Sequence, residues 1–136
     1  MDNKRFLDSR LDMVVKFKET IPPRAFDVGE SRSIEIFDCA QVELAPNEQI
    51  TLKTESGAEY DIVRKSWGYY ATPSLNGRLK FFGLKTALVK NSSSKFYVVL
   101  VENGKVEEFQ KYLKIEELTI ICWLDNDECL GNLEVS

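Results

Sequence analysis

Residues 64–101 read RKSWGYYATPSLNGRLKFFGLKTALVKNSSSKFYVVLV, and this stretch decides the fold. Arg64 to Ala71 is β-prone. Thr72-Pro73 then has the form of a helix start, with Thr as N-cap and Pro at the first helical position. Leu75, Leu79 and Phe82 recur at i, i+4 and i+7, and Gly83 stands where a left-handed C-cap belongs. The spacing predicts a short helix over 73–82. Strands are expected over 84–90 and 95–102, joined by Asn91-Ser92-Ser93-Ser94. The run Phe96-Tyr97-Val98-Val99-Leu100-Val101 is apolar on both faces, the pattern of a central strand.

On the C-terminal side, Val106, Phe109 and Leu113 share one face over residues 104–115, with Glu107, Glu108 and Lys111 outside. That is a second helix. Leu118 to Leu124 reads as a last strand. The order over 64–124 is then β-α-β-β-α-β, a ferredoxin-like core within an α+β fold. On the N-terminal side, 49–54 and 58–63 alternate around Glu55-Ser56-Gly57 and predict a β-hairpin. The two readings compete for one strand: it breaks near Arg64, or the sheet is arranged differently. Residues 33–44 are β-prone with an interruption at Asp38-Cys39. Leu7, Leu11, Val14 and Val15 predict an amphipathic helix over 3–18. Ile21-Pro22-Pro23 ends it, and a loop is expected to Ser33. The expectation is one α+β domain over 1–136, with an N-terminal helical arm in 1–30 and a flexible acidic tail in 125–136.

The 136 residues are 43% hydrophobic and 29% charged, a globular composition with room for a real core. No apolar run reaches the roughly 18 residues of a membrane-spanning helix. The charged start, Met1 to Lys18, lacks the apolar region of a signal peptide. A cytoplasmic protein is the expectation. Histidine is absent, which excludes His bases, Ser-His and Cys-His pairs and His-ligated metals. The remaining routes to an enzyme need Lys, Tyr, Cys or carboxylates of perturbed pKa, and no spacing proposes them. The chain therefore leans away from catalysis, with no catalytic residues, no metal and no cofactor expected. Cys39 and Cys122 read as small core residues, and Cys129 as exposed. Asp125-Asn126-Asp127-Glu128 lacks the spacing and glycine of a calcium loop.

Charge is strongly segregated. Residues 1–61 carry a net −5 and residues 102–136 a net −6, whereas 62–101 hold seven cations and no carboxylate. One reading is an anion site, with Lys65, Ser74, Asn76 and Arg78 around the free N–H groups of the short helix and Trp67 and Tyr69 stacking on a ring. The other is a solvated basic face neutralised by the chain's own acidic flanks. The Trp67-Gly68-Tyr69-Tyr70 cluster has its own plain reading as core. Lys95-Phe96-Tyr97-Val98 is similar to the aromatic strand of an RNA-recognition motif, but that motif's glycine and spacing are missing and the whole chain is acidic. Nucleic acid is not an expected partner.

The run 65–79 (KSWGYYATPSLNGRL), then 83–89 (GLKTALV) and Trp123-Leu124-Asp125, resembles a group of small bacterial proteins associated with genes for surface polysaccharides and modified sugars. The resemblance implies no activity and no catalytic residues. It points the anion towards a nucleotide-sugar. The expected function is a non-enzymatic binding or accessory protein for an anionic small metabolite, a nucleotide or nucleotide-sugar. The alternative is an interaction module that forms a homodimer or docks an enzyme, by analogy with small ferredoxin-like domains.

Overall fold

The computed structural model describes residues 15–29 and 34–134. It is a mixed α+β structure made mostly of strands. β1 (Lys16–Val28) and β2 (Ile34–Glu43) pair antiparallel as a two-stranded ribbon. β3 (Gln49–Lys53), β4 (Glu59–Lys65) and β5 (Gly68–Ala71) form a second sheet in that order. A 3₁₀ helix (Arg78–Phe82) leads to a third sheet. Its strands are β6 (Leu84–Lys90), β7 (Phe96–Glu102) and β8 (Thr119–Trp123), in the order β7-β6-β8. Helix α1 (Val106–Ile115) connects β7 to β8, and α2 (Asp127–Leu133) follows β8.

The strand pairing does not confirm a ferredoxin-like core. The strand before the short helix is bonded to the 49–65 hairpin and not to β6. The reason lies at Ser66-Trp67, where a tight turn breaks the expected 64–71 strand into β4 and β5. Gly68, at φ +149°, makes that reversal without steric cost. The expected 49–54 and 58–63 hairpin is present, with Leu52 opposite Tyr60. β6, α1 and β8 also lie where the sequence places them.

The expected α-helix over 73–82 is a five-residue 3₁₀ helix starting at Arg78. Asn76-Gly77 interrupts the helical run, since glycine is a poor helix former. Gly83 does take the left-handed C-cap conformation, at φ +87°. A Cβ there would stand 3.4 Å from the Ala58 Cα. Gly83→Ala is expected to cost about 1–2 kcal/mol from the left-handed backbone alone. Urea denaturation measures it, and an unchanged midpoint would contradict the assignment.

Of the expected N-terminal helix, residues 3–14 lie outside the described residues, and 16–18 belong to β1. The expected loop over 21–33 is mostly strand in its described part. Pro22 and Pro23 lack N–H donors, so the ribbon's register shifts between Glu19 and Arg24. Their extended backbone nevertheless suits a strand. β2 runs through Asp38-Cys39 without interruption. The segment 125–136, expected as a flexible tail, is helical over Asp127–Leu133, with the Asn126 side chain accepting from the Cys129 N–H at 2.9 Å. Cys39 is exposed and not a core residue. Cys122 is buried and forms a disulfide with Cys129, their Cα atoms 6.3 Å apart, a pairing the sequence reading did not anticipate.

Two apolar clusters hold the sheets. Ala58, Leu79 and Leu84, flanked by Tyr60 and Leu75, join the hairpin sheet to β6 through the 3₁₀ helix. Ala87, Val89 and Leu113, flanked by Val99, Phe109, Leu118, Ile120 and Trp123, seat α1 on the third sheet. The Phe109 and Trp123 rings meet edge to face at 5.9 Å. At the far end of the ribbon, Gly29 at φ +88° lies against the buried Glu116 side chain.

Candidate functional site

The clearest polar concavity lies between the base of the ribbon and the β4–β5 turn. It is a groove of about 960 Å³. β1 contributes Lys16, Phe17 and Lys18, and β2 contributes Gln41, Val42 and Glu43. The β4–β5 hairpin contributes Arg64, Ser66, Trp67, Gly68 and Tyr69. The ribbon register sets Lys16 opposite Glu43 and Lys18 opposite Gln41, so all four stand on one face.

Charge in the groove is unbalanced. Lys16 pairs with Glu43 at 3.7 Å. Lys18 has no such partner among the described residues. Arg64 donates through Nη1 to the Leu44 carbonyl at 3.2 Å, which fixes the guanidinium without neutralising it. Trp67 and Tyr69 are 70% and 64% exposed, so their rings are available for stacking rather than spent in a core. Two uncompensated cations beside two open rings can hold an anionic group and a planar or sugar ring together.

Trp67 and Tyr69 thus belong to this groove, as does the neighbourhood of Lys65. Lys65 itself donates to Asn47 Oδ1 at 2.7 Å. The other expected site residues are engaged elsewhere. Ser74 Oγ accepts from the Arg78 N–H at 2.8 Å, and the Ser74 carbonyl accepts from the Gly77 and Leu79 N–H groups. The anion site was expected at the N–H groups around Ser74 and Leu75, at the start of a helix over 73–82. The helix starts instead at Arg78, and Ser74 caps the N–H groups there. Asn76 donates to Asp127 Oδ1 at 2.8 Å, and the Arg78 guanidinium lies over the Phe82 ring at 5.3 Å. Lys16, Lys18, Gln41 and Arg64 are the residues the sequence reading missed. Arg64 was adjacent to a chosen residue. The lysines were hidden because their segment has helical as well as alternating periodicity.

The neutralisation reading finds no support in the contacts. The ion pairs among the described residues are Lys16–Glu43, Arg24–Asp38, Lys53–Glu59 and Lys105–Glu102. None involves a cation of 62–101. Five of these cations rest instead on a carbonyl, an amide or a ring: Arg64 on the Leu44 carbonyl, Lys65 on Asn47, Arg78 over Phe82, Lys80 over Phe81 and Lys85 over Trp123.

A second cavity, of about 370 Å³, is apolar. Leu52, Tyr60, Leu84, Leu100, Phe109 and Tyr112 contribute to its lining. Burial there raises the Tyr60 phenol above its ordinary pKa. At the rim, the Glu102 carboxylate accepts from the Ser56 hydroxyl and from Thr54 Oγ1 at 3.2 Å, tying β7 to the hairpin turn. The Ser56 bond is the main reason that Glu102 titrates below the usual carboxylate range. Lys105 and Thr54 assist, and desolvation opposes them. A depressed folded pKa stabilises above the unfolded value of about 4.3. That contribution is lost as pH falls through the folded value. Ser56→Ala is therefore expected to lower the urea midpoint at pH 7 and to converge on wild type in acid below the folded pKa. A difference that persists unchanged in acid would refute the linkage.

No protein-family model, curated protein or solved structure matches the chain. Among the described residues no helix is long and apolar enough to cross a membrane, and no group of three or more His, Cys, Asp or Glu gathers as metal ligands.

Proposed function

We propose that this protein is a non-enzymatic binding protein for an anionic, ring-bearing metabolite of the nucleotide or nucleotide-sugar class, held in the groove at the β4–β5 turn. The observation that carries the reading is the pairing of open Trp67 and Tyr69 rings with the uncompensated charges of Lys18 and Arg64. Trp67 and Tyr69 stack on the base or sugar, and Lys18 and Arg64 receive the phosphate. The sugar part of the ligand rests on the resemblance to the small bacterial proteins of polysaccharide and modified-sugar gene sets.

The test is thermal stability against inorganic phosphate, nucleotides, nucleotide-sugars, acidic sugars and a short oligonucleotide. A ligand at a hundred times its Kd adds about 2.7 kcal/mol. In a domain of this size that raises the Tm by several degrees. A rise selective for nucleotides or nucleotide-sugars is expected, and Trp67→Ala with Lys18→Ala is expected to abolish it while leaving the unliganded Tm near wild type. Arg78→Ala is expected to leave binding intact. Failure of every ligand, or full affinity in the folded double variant, would overturn the reading.

A further inference from the structure

The two apolar clusters are separate, and the cavity of about 370 Å³ lies between them. Ala58 and Leu84 of the first cluster line it, and so does Phe109, which packs on the second. Protein interiors leave few voids larger than a water molecule. This one falls at the lower end of the roughly 300–1,000 Å³ range of small-molecule sites.

Its walls come from both sheets and from α1. The hairpin register sets Leu52 opposite Tyr60, so both side chains stand on one face of the β3–β4 pair. Lys105, Glu108, Phe109 and Tyr112 follow at i, i+3, i+4 and i+7, and share the face that α1 turns to the cavity. Leu84 and Leu100 complete the apolar lining from β6 and β7. Three aromatic rings, those of Tyr60, Phe109 and Tyr112, therefore border one apolar space.

The charges around that space do not balance. Lys53 is paired with Glu59 at 3.4 Å, and Lys105 with Glu102 at 3.5 Å. Glu102 also accepts from Ser56 and Thr54. Both lining cations are thus committed. Glu108 has no ion-pair partner among the described residues, so the charge left over is a carboxylate. The Tyr60 hydroxyl likewise has no hydrogen-bond partner among the described residues and offers a neutral acceptor. A cationic head with an apolar body matches this lining. An ammonium group is attracted by a carboxylate and by the faces of aromatic rings, whereas a carboxylate head would meet Glu108 and Glu102 with like charge.

We propose that this cavity is a second ligand site, for a small apolar amine whose chain or ring lies among Leu52, Leu84, Leu100 and Phe109 and whose ammonium group is received by Glu108. The walls belong to two sheets that share no strand, so an occupant ties the sheets together. No residue lines both this cavity and the Trp67 groove, and the site does not depend on the ligand proposed there.

Isothermal titration calorimetry of the full chain at pH 7 tests the assignment with hexylamine, hexanol, hexanoate and methylamine. Hexylamine is protonated at that pH, as a lysine side chain is. It is expected to bind best of the four, because hexanol lacks the charge, hexanoate reverses it and methylamine lacks the chain. Glu108→Gln, at an exposed position, is expected to weaken hexylamine about fivefold, the worth of one partly exposed charge pair, and to leave hexanol unchanged. Leu52→Trp, also at an exposed position, fills the cavity and is expected to abolish binding of both. Trp67→Ala is expected to bind hexylamine as wild type does. Absence of hexylamine binding, equal affinity for any of the other three probes, or full affinity in a folded Glu108→Gln or Leu52→Trp protein would each overturn the proposal. Loss of hexylamine binding in Trp67→Ala would place the amine in the groove and overturn it too. Should Leu52→Trp fail to fold, Glu108→Gln decides the question.

Discussion

Leu79→Ala is expected to destabilise the fold by about 2–5 kcal/mol. Leu79 is fully buried, at 0% exposure, between Ala58 of the hairpin and Leu84 of β6. Its methyl groups fill the junction between two sheets that share no strand. Ala58 is too small to move into the space, and Leu84 is held by its own ladder with β7. The truncation therefore leaves a cavity, and the loss of contacts adds to the loss of burial. The urea midpoint measures the effect. Leu133→Ala, at an exposed α2 position, is the control and is expected to fall within about 0.5 kcal/mol of wild type. A loss below about 1 kcal/mol at Leu79 would mean that the junction is not where the sheets are coupled.

Breaking the Cys122–Cys129 bond is the second large effect. The bridge closes a loop with a sequence separation of only seven. Chain entropy assigns a loop of that size about 2–3 kcal/mol. The consequence is concentrated in α2, whose other side-chain ties are the Asn126 cap and the Asn76–Asp127 hydrogen bond. Cys129→Ser, or reduction, is expected to lower the urea midpoint and to speed amide exchange across Asp127–Leu133. The thiol count is the direct check. Folded, non-reduced protein is expected to show one reactive thiol, Cys39. Three would refute the pairing. The same count on acid-quenched cells tests the compartment, since disulfides persist in oxidising surroundings and are rare in reducing ones.

The parts of the chain that were legible were those in which local chemistry and tertiary position agree. The hairpin over 49–63 was readable because alternation and Gly57 act locally. α1 was readable because Val106, Phe109 and Leu113 make one stripe. Gly83 was readable because a left-handed residue ends a helix wherever that helix lies. Residues 16–28 were not readable in that way. Residues 16–18 read as the end of a helix and the stretch after Pro22-Pro23 as loop, and only pairing with β2 makes them one strand. β7 was assigned a central place from its composition, and the sheet order places it at an edge.

The candidate site divides along the same line. Segregation of charge is a property of the sequence, and so is the presence of Trp67 and Tyr69 beside cations. Which cations reach those rings was decided in three dimensions. Ser74 turned its hydroxyl and carbonyl onto the donors of the short helix, because Asn76-Gly77 breaks that helix before it can present free N–H groups. The ribbon then brought Lys16 and Lys18, some fifty residues away in sequence, to the β4–β5 turn. By itself the sequence determined the composition of each face, the helix-ending and turn-making residues and the sign of the charge in every segment. Only the tertiary structure decided which faces meet, because strand pairing joins residues by register across the fold, and no local periodicity encodes a partner that far along the chain.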